Sequence, residues 1–233
     1  MISEKKKWLK YTYFNRNPGF RLNEVHLFSP VKKGIVGMKR ILFPTMVVDI
    51  SKENFTDEWS KSTRYKINRA KKEMLIIKRN MDLLPAILNL FQRTAQLKNL
   101  RGYSMIDFDS RPWIECSAVF FEDKMLAGHV WLIEKAEKRC LLFVNASDHH
   151  EASNDSSLVG RAHYFLLWKD GLYFRNKEFR TLDLNGYLEH SEDLNLKGVY
   201  AWKEGTHGQV ENLYQYYPFH VYWLRKFRNM AAR

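Results

Sequence analysis

Two cysteines in 233 residues, Cys116 and Cys140, are too few for a disulfide framework, and their spacing is not that of a zinc site. Both read as small apolar residues in or beside strands. No apolar run approaches the roughly 18–20 residues that a membrane-spanning helix needs. The opening MISEKKKW carries charge with no apolar stretch behind it, so no secretory leader is expected and the cytoplasm is the expected compartment. Repeats, low-complexity tracts and linkers are also missing. One domain over 1–233 is therefore expected, with a basic N-terminal extension over about 1–40 and a short basic tail.

What is present suits a folded chain. Hydrophobic residues make up 45% and aromatic residues 15%, well outside the range of disordered sequences. The length allows a substantial core. The net charge of +12 favours polyanionic partners: a phosphorylated cofactor, a nucleotide-linked substrate, RNA or an anionic membrane surface.

Residues 1–30 are basic and aromatic, with a turn at Asn17, Pro18 and Gly19. ILFPTMVVDI (41–50) reads as a strand in which Pro44 argues for an edge or a bulge. Thr56, Asp57 and Glu58 open a helix over about 57–74 that is the most basic part of the chain, including Lys61, Arg64 and Arg69. A strand follows at 74–79, and apolar spacing predicts an amphipathic helix over 83–97. Three strands of a meander are predicted at 117–122, 125–134 and 139–147. A polar loop leads to a helix over 158–174, a strand at 181–184 and one or two strands over 209–219. The basic tail, 225–233, is expected to fray.

This order predicts an α+β fold with a largely antiparallel sheet flanked by helices. One stretch, 183–208, draws the pattern together: a short strand releases Asp183 and Asn185 into a polar loop, and YAWK (200–203) follows. A second junction, SLVGRA (157–162), opens a helix with a glycine, leaving backbone N–H groups free to hold a phosphate, with Arg161 able to add a bidentate contact.

Three segments carry a family resemblance. KSTRYKINRAK (61–71) is similar to the basic first helix, R-x-x-I-x-x-A-x-K, of the Fem-type branch of the GNAT acyltransferase superfamily. SLVGRA (157–162) stands where GNAT proteins carry Q/R-x-x-G-x-G/A, the loop that holds the coenzyme A pyrophosphate. LDLNG (182–186) with YAWKEG (200–205) resembles the branch's D-x-G-G … F-K ending. Ser157 stands where Arg or Gln is usual, Asn185 where the first glycine is, and Trp202 where phenylalanine is.

The resemblance, covering about 40–215, implies a single-domain relative of the peptidoglycan-bridge aminoacyltransferases with a GNAT-like fold. It implies that a coenzyme A thioester, acetyl-CoA foremost, is held by Asn145, Ala146, Ser147, Ser157, Leu158, Val159, Gly160, Arg161 and Ala162. A backbone N–H near 145–147 would stabilise the developing oxyanion. The acceptor, an amine on a phosphorylated molecule such as a nucleotide-linked amino sugar or a cell-envelope glycan precursor, would lie against Lys61, Arg64, Arg69, Asn185 and Trp202. Candidates for the general base are Asp183, Glu189 and His190, with Lys203 near the transferred group. His149 and His150 offer too few ligands for a metal, and none is expected. An aminoacyl-tRNA is the alternative donor. A binder of RNA or an anionic surface, without catalysis, is the alternative class.

Overall fold

The computed structural model describes residues 2–6, 8–97, 102, 103, 105, 108, 113–148, 156–188 and 194–231. They form two compact units: Met1–Thr45 with Val210–Arg233, and Met46–Gln209. The expected mixed α+β architecture is the one observed, with ten strands and five α-helices among the described residues.

The first unit holds β1 (Ile2–Lys6) and β2 (Leu9–Tyr13), paired antiparallel, then β3 (Glu24–Ser29), parallel to β2. β4 (Met38–Asp49) runs from this unit into the second, continuing through Pro44. β10 (Gln209–Pro218) pairs antiparallel with β3, and α5 (Phe219–Ala231) follows it. Val25, Tyr217 and Val221 form one buried cluster here, and Met38, Tyr214 and Tyr216 another. The basic N-terminal stretch is thus strand structure. The tail expected to fray is largely helix, because Val221 and Tyr222 fold back onto the strands.

The second unit orders its strands β4, β9 (Thr181–Gly186), β8 (Arg139–Ser147), β7 (Lys124–Glu134), β6 (Ile114–Phe121), β5 (Leu75–Lys78). α1 (Lys61–Ala70) precedes β5 (Leu75–Lys78), and a 3-10 turn leads into α2 (Leu84–Leu97). The predicted meander is β6 (Ile114–Phe121), β7 (Lys124–Glu134) and β8 (Arg139–Ser147). Next come α3 (Ser156–Asn176), β9 (Thr181–Gly186) and α4 (Leu194–Glu204), so YAWK (200–203) is helical. α1 starts later than predicted. Residues 54–59 turn instead, and Ser60 is the N-cap, its Oγ accepting from the Thr63 N–H at 3.2 Å. With only Thr63, Ile67 and Ala70 buried, tertiary packing supports no longer a helix there.

Alternation along β7 decides what faces each helix layer. Val130 joins Val144, Ala146 and the α2 side chains Ile87, Leu88 and Leu90. On the other face, Trp131 and Ile133 pack with Tyr164, Leu167 and Phe174 of α3. His129 is placed on that face too, in an otherwise apolar run, and is fully buried.

Candidate active site

The backbone frame of the site is the contact between β8 and β9. They run parallel, with α3 as the crossover between them, the arrangement parallel strands require. Their register is short: Arg139↔Thr181, Cys140↔Leu182, Leu141↔Asp183. Past it, no further Cα pairs join them among the described residues, while β8 stays paired with β7 as far as Ala127↔Ser147. The side of β8 that faces β9 is therefore released from the ladder along its last residues.

The end of β9 closes that contact. Arg139 donates to Asp183 through both Nε, at 2.9 Å, and Nη2, at 2.5 Å, with both residues buried. The other Asp183 oxygen accepts from the Asn185 N–H at 2.8 Å. Asn185 has a φ of +69°, a left-handed conformation that asparagine tolerates better than most L-residues, and its Nδ2 donates to the Leu142 carbonyl at 3.1 Å. This explains why asparagine can stand where the family pattern has glycine. Lys203 reaches the same turn from α4. Its Nζ donates to the carbonyls of Gly186 at 2.6 Å and Asn185 at 3.2 Å. Burial drops its ammonium to about 8, against the upward pull of the Asp183 charge.

α4 is held against α3 and α1. Tyr164 donates to the Trp202 carbonyl at 2.9 Å, and the Ser60 N–H donates to the Gly205 carbonyl at 3.0 Å. A Cβ on Gly205 would come within 2.4 Å of the Tyr164 hydroxyl and 2.6 Å of Thr63 Oγ1, so only glycine fits where the helices close up. Trp202 lies flat on His163, ring centroids 4.4 Å apart, and its Nε1 is buried without a partner. His163 Nε2 is 2.5 Å from Asn145 Oδ1, on the last part of β8.

Behind this stack is a second polar centre that the sequence reading missed. Asp170, fully buried in α3, accepts from Ser117 Oγ at 2.7 Å, Trp131 Nε1 at 2.9 Å and Arg79 Nη2 at 2.9 Å. His129 Nδ1 lies 2.8 Å from Asp170 Oδ2, so Nδ1 carries its proton there. Burial pushes the Asp170 carboxyl up, but the hydrogen bond of His129 (joined by its charge when the ring is protonated), the Arg79 charge and the Ser117 bond outweigh it and hold it below the usual range. The His129 Nε2 is buried and has no hydrogen-bond partner. Its ring centroid is 5.3 Å from that of His163, and Asn145 is its cross-strand partner on β8. The available signal was a histidine inside the strand KMLAGHVWLIE and an aspartate inside the apolar helix segment FLLWKDGLYF.

The structure brings some of the candidates together and separates others. Asn145, Asp183, Asn185, Trp202 and Lys203 are brought together around the β8–β9 contact. Ser157 is exposed in the first turn of α3, Leu158 and Gly160 are half-buried, and Val159 and Ala162 pack into the core beside Val119 and Ala127. Ala146 is buried under α2, and Ser147 ends β8. Arg161 is ion-paired to Glu73, at 2.6 Å from Nη2, just past the end of α1. Arg69 lines a cavity of about 580 Å³ with Tyr65, Asn68, Lys72 and Glu73, whereas Lys61 and Arg64 are exposed elsewhere on α1. Glu189 and His190 lie outside the described residues, as do His149 and His150. Neither cysteine suits nucleophilic work: burial pushes the Cys116 thiol up to about 12 and raises Cys140 too.

No protein-family model matches the sequence, and no curated protein matches it significantly. Solved structures do. FemX aligns over 75% of this chain with a TM-score of 0.62 and 13% identity, and the alignment spans 61% of the FemX chain, less than two thirds of it. The C-terminal domain of a putative lysylphosphatidylglycerol synthetase from Agrobacterium fabrum aligns over 83% of this chain and 67% of its own, at a TM-score of 0.56 and 14% identity. L-PGS from Bacillus licheniformis aligns over 90% of this chain and 74% of its own, at 0.55 and 11% identity. The fold is thus one shared with FemX and with these two other chains, in keeping with the Fem-type resemblance of the sequence.

Proposed function

We propose that this protein is an N-acyltransferase that moves an acyl group from coenzyme A directly to an amine on a phosphorylated acceptor. The observation that carries this is the parting of β8 from β9 after Leu141 and Asp183, with Lys203 bonded to the carbonyls at the end of β9 and the stacked His163 and Trp202 reaching Asn145 on β8. Peptide groups released from a ladder must find other partners. An acyl carbonyl set between the strands would accept from a β8 backbone N–H near 145–147, which would stabilise the tetrahedral oxyanion. The first-turn N–H groups of α3 at Ser157 and Leu158 would receive the donor's phosphates.

In this mechanism the acceptor nitrogen forms its bond to the acyl carbon, the carbon–sulfur bond breaks, and coenzyme A leaves as the thiol after taking up a proton. The proton lost from the amine goes to histidine. With Nδ1–H held on an ionised carboxylate, His129 presents Nε2 as a fixed proton acceptor, and His163, its ring centroid 5.3 Å away, bonds Asn145. Asp183, saturated by Arg139 and the Asn185 N–H, shapes the strand end instead. Lys203 fixes the carbonyls of the same turn. The acceptor, a nucleotide-linked amino sugar or cell-envelope glycan precursor, would set its phosphates against the cations of α1.

A second donor is favoured by one observation. The cavity over α1 joins Arg69 and Lys72 to an exposed Tyr65, a cation-and-aromatic surface that suits a nucleic acid, and so an aminoacyl-tRNA. Calorimetric titration with acetyl-CoA, alongside mass spectrometry of the purified protein for bound coenzyme A, distinguishes the donors. Saturable binding of acetyl-CoA supports the main proposal. Its absence, with transfer from charged tRNA, selects the second donor. Failure of both, with RNA retained in a salt-dependent manner, leaves a non-catalytic binder.

A further inference from the structure

The first unit carries a helix whose outer face no part of the proposed reaction uses. α5 turns Val221 and Tyr222 inward, onto Val25, Tyr217 and Ile41. Phe219, Trp223 and Phe227 follow one another at four-residue spacing, with Leu224 beside them, and all four are exposed, Leu224 and Phe227 by 61% each. Spacing of four places them as one stripe along the helix. Trp8, half exposed, stacks on His220 and extends the aromatic surface. Four large apolar side chains in one stripe are more than scattered surface hydrophobics account for.

The charge on this helix has one sign. Arg225, Lys226 and Arg228 lie in α5, and no Asp or Glu does. The Lys226 ammonium sits 5.1 Å from the Trp223 ring centroid, and Arg225 lies over Tyr217 while bonding its hydroxyl. A cationic helix with Trp, Phe and Leu on one side is built for the boundary between lipid headgroups and acyl chains: the rings and leucine sink below the headgroups, and Lys and Arg stay with the phosphates. At 13 residues it is too short to cross a bilayer.

We infer that α5, with Trp8, is a docking surface for an anionic lipid bilayer, on which the helix lies flat. Two other occupants fit the surface less well. A second copy meeting this face through its own α5 would set two cationic helices against each other. A nucleic acid would satisfy the cations and could stack on the rings, but would leave Leu224 against polar backbone. Only a bilayer matches both the charge and the aliphatic component.

The test uses the full chain with vesicles of phosphatidylglycerol mixed with phosphatidylcholine, and with vesicles of phosphatidylcholine alone. The protein sediments with the anionic vesicles and stays in solution with the neutral ones. Trp223→Glu with Phe227→Glu lowers the partition coefficient by about tenfold or more, and Lys226→Glu lowers it by a smaller factor. Because these side chains are exposed, thermal unfolding of each variant stays at the wild-type temperature, which separates lost docking from lost folding. Failure to bind anionic vesicles, or equal binding by the double variant, overturns the assignment. So does sedimentation equilibrium showing a wild-type dimer that the double variant converts to monomer, which would make α5 a self-association face. None of these readouts depends on acyl transfer, so the assignment stands or falls apart from the proposed reaction.

Discussion

Two buried aspartates, 13 positions apart in sequence, are used in opposite ways. Asp183, at the end of β9, spends its oxygens on an arginine and on the backbone of its own turn. Asp170, inside α3, takes three donors from Ser117, Trp131 and Arg79, and still holds a histidine whose far nitrogen has nothing to bond. Both carboxylates are satisfied. In the proposed reaction only one of them passes its effect on to a group that takes up a proton. There, burial and a place in a recognisable motif do not single out the chemical carboxylate; what its partner can do next does.

The sharpest way to break this comparison is at His129. His129→Gln keeps a polar side chain on Asp170 but removes the proton acceptor, and is expected to cut turnover by about 10²–10⁴-fold. Steady-state kinetics across pH would check this, and a wild-type rate and profile would make the dyad purely structural. Asp183→Asn is expected to act through stability, because it removes the charge that the buried Arg139 holds through Nε and Nη2, at a cost of about 3–5 kcal/mol. Urea denaturation measures that loss; full stability with lost turnover would return Asp183 to the role of base.

Lys203 adds a pH test. Its pKa is about 8 in the folded protein, below the ordinary lysine value of 10.5, so the unfolded chain binds the extra proton between these values. Stability contributed by this group is therefore lowest below about pH 8 and rises through 10.5. Lys203→Met should flatten that rise and add about 3 kcal/mol near neutrality, offset by the loss of its two hydrogen bonds. Denaturation midpoints across pH 7–10.5 would show it. The smallest effect is expected at Ser117→Ala, which removes one of four groups facing Asp170 and should cost about 1–2 kcal/mol with the His129 tautomer unchanged by NMR.

Much of the second unit was legible because its segments are locally consistent. KMLAGHVWLIE and RCLLFVNAS alternate or run apolar between turn residues, and β7 and β8 appear where they were read. The 158–174 helix and the 181–184 strand were found nearly to length. The start of α1 was misplaced because Thr56, Asp57 and Glu58 and then Ser60 all offer capping chemistry, and only the docking of Ser60 onto Gly205 selects among them. The strands of 1–30 were obscured by lysines and tyrosines that take two-sided, half-exposed positions. α5 was read as a loose tail because its inner face is small.

The sequence by itself determined the α+β class, the resemblance to the Fem-type branch and the nearness of Asp183, Asn185, Trp202 and Lys203, since a strand, a turn and a helix within about twenty residues must stay close in space. Only the tertiary structure decided that His129 and Asp170, 41 residues apart, form a pair. Their meeting depends on which face of β7 turns toward α3 and on where the helix register sets position 170 against it. Neither is written in any local window. A buried charge is tolerated only where the assembled fold brings its partners, and here those partners come from β6, β7 and the residue that follows β5.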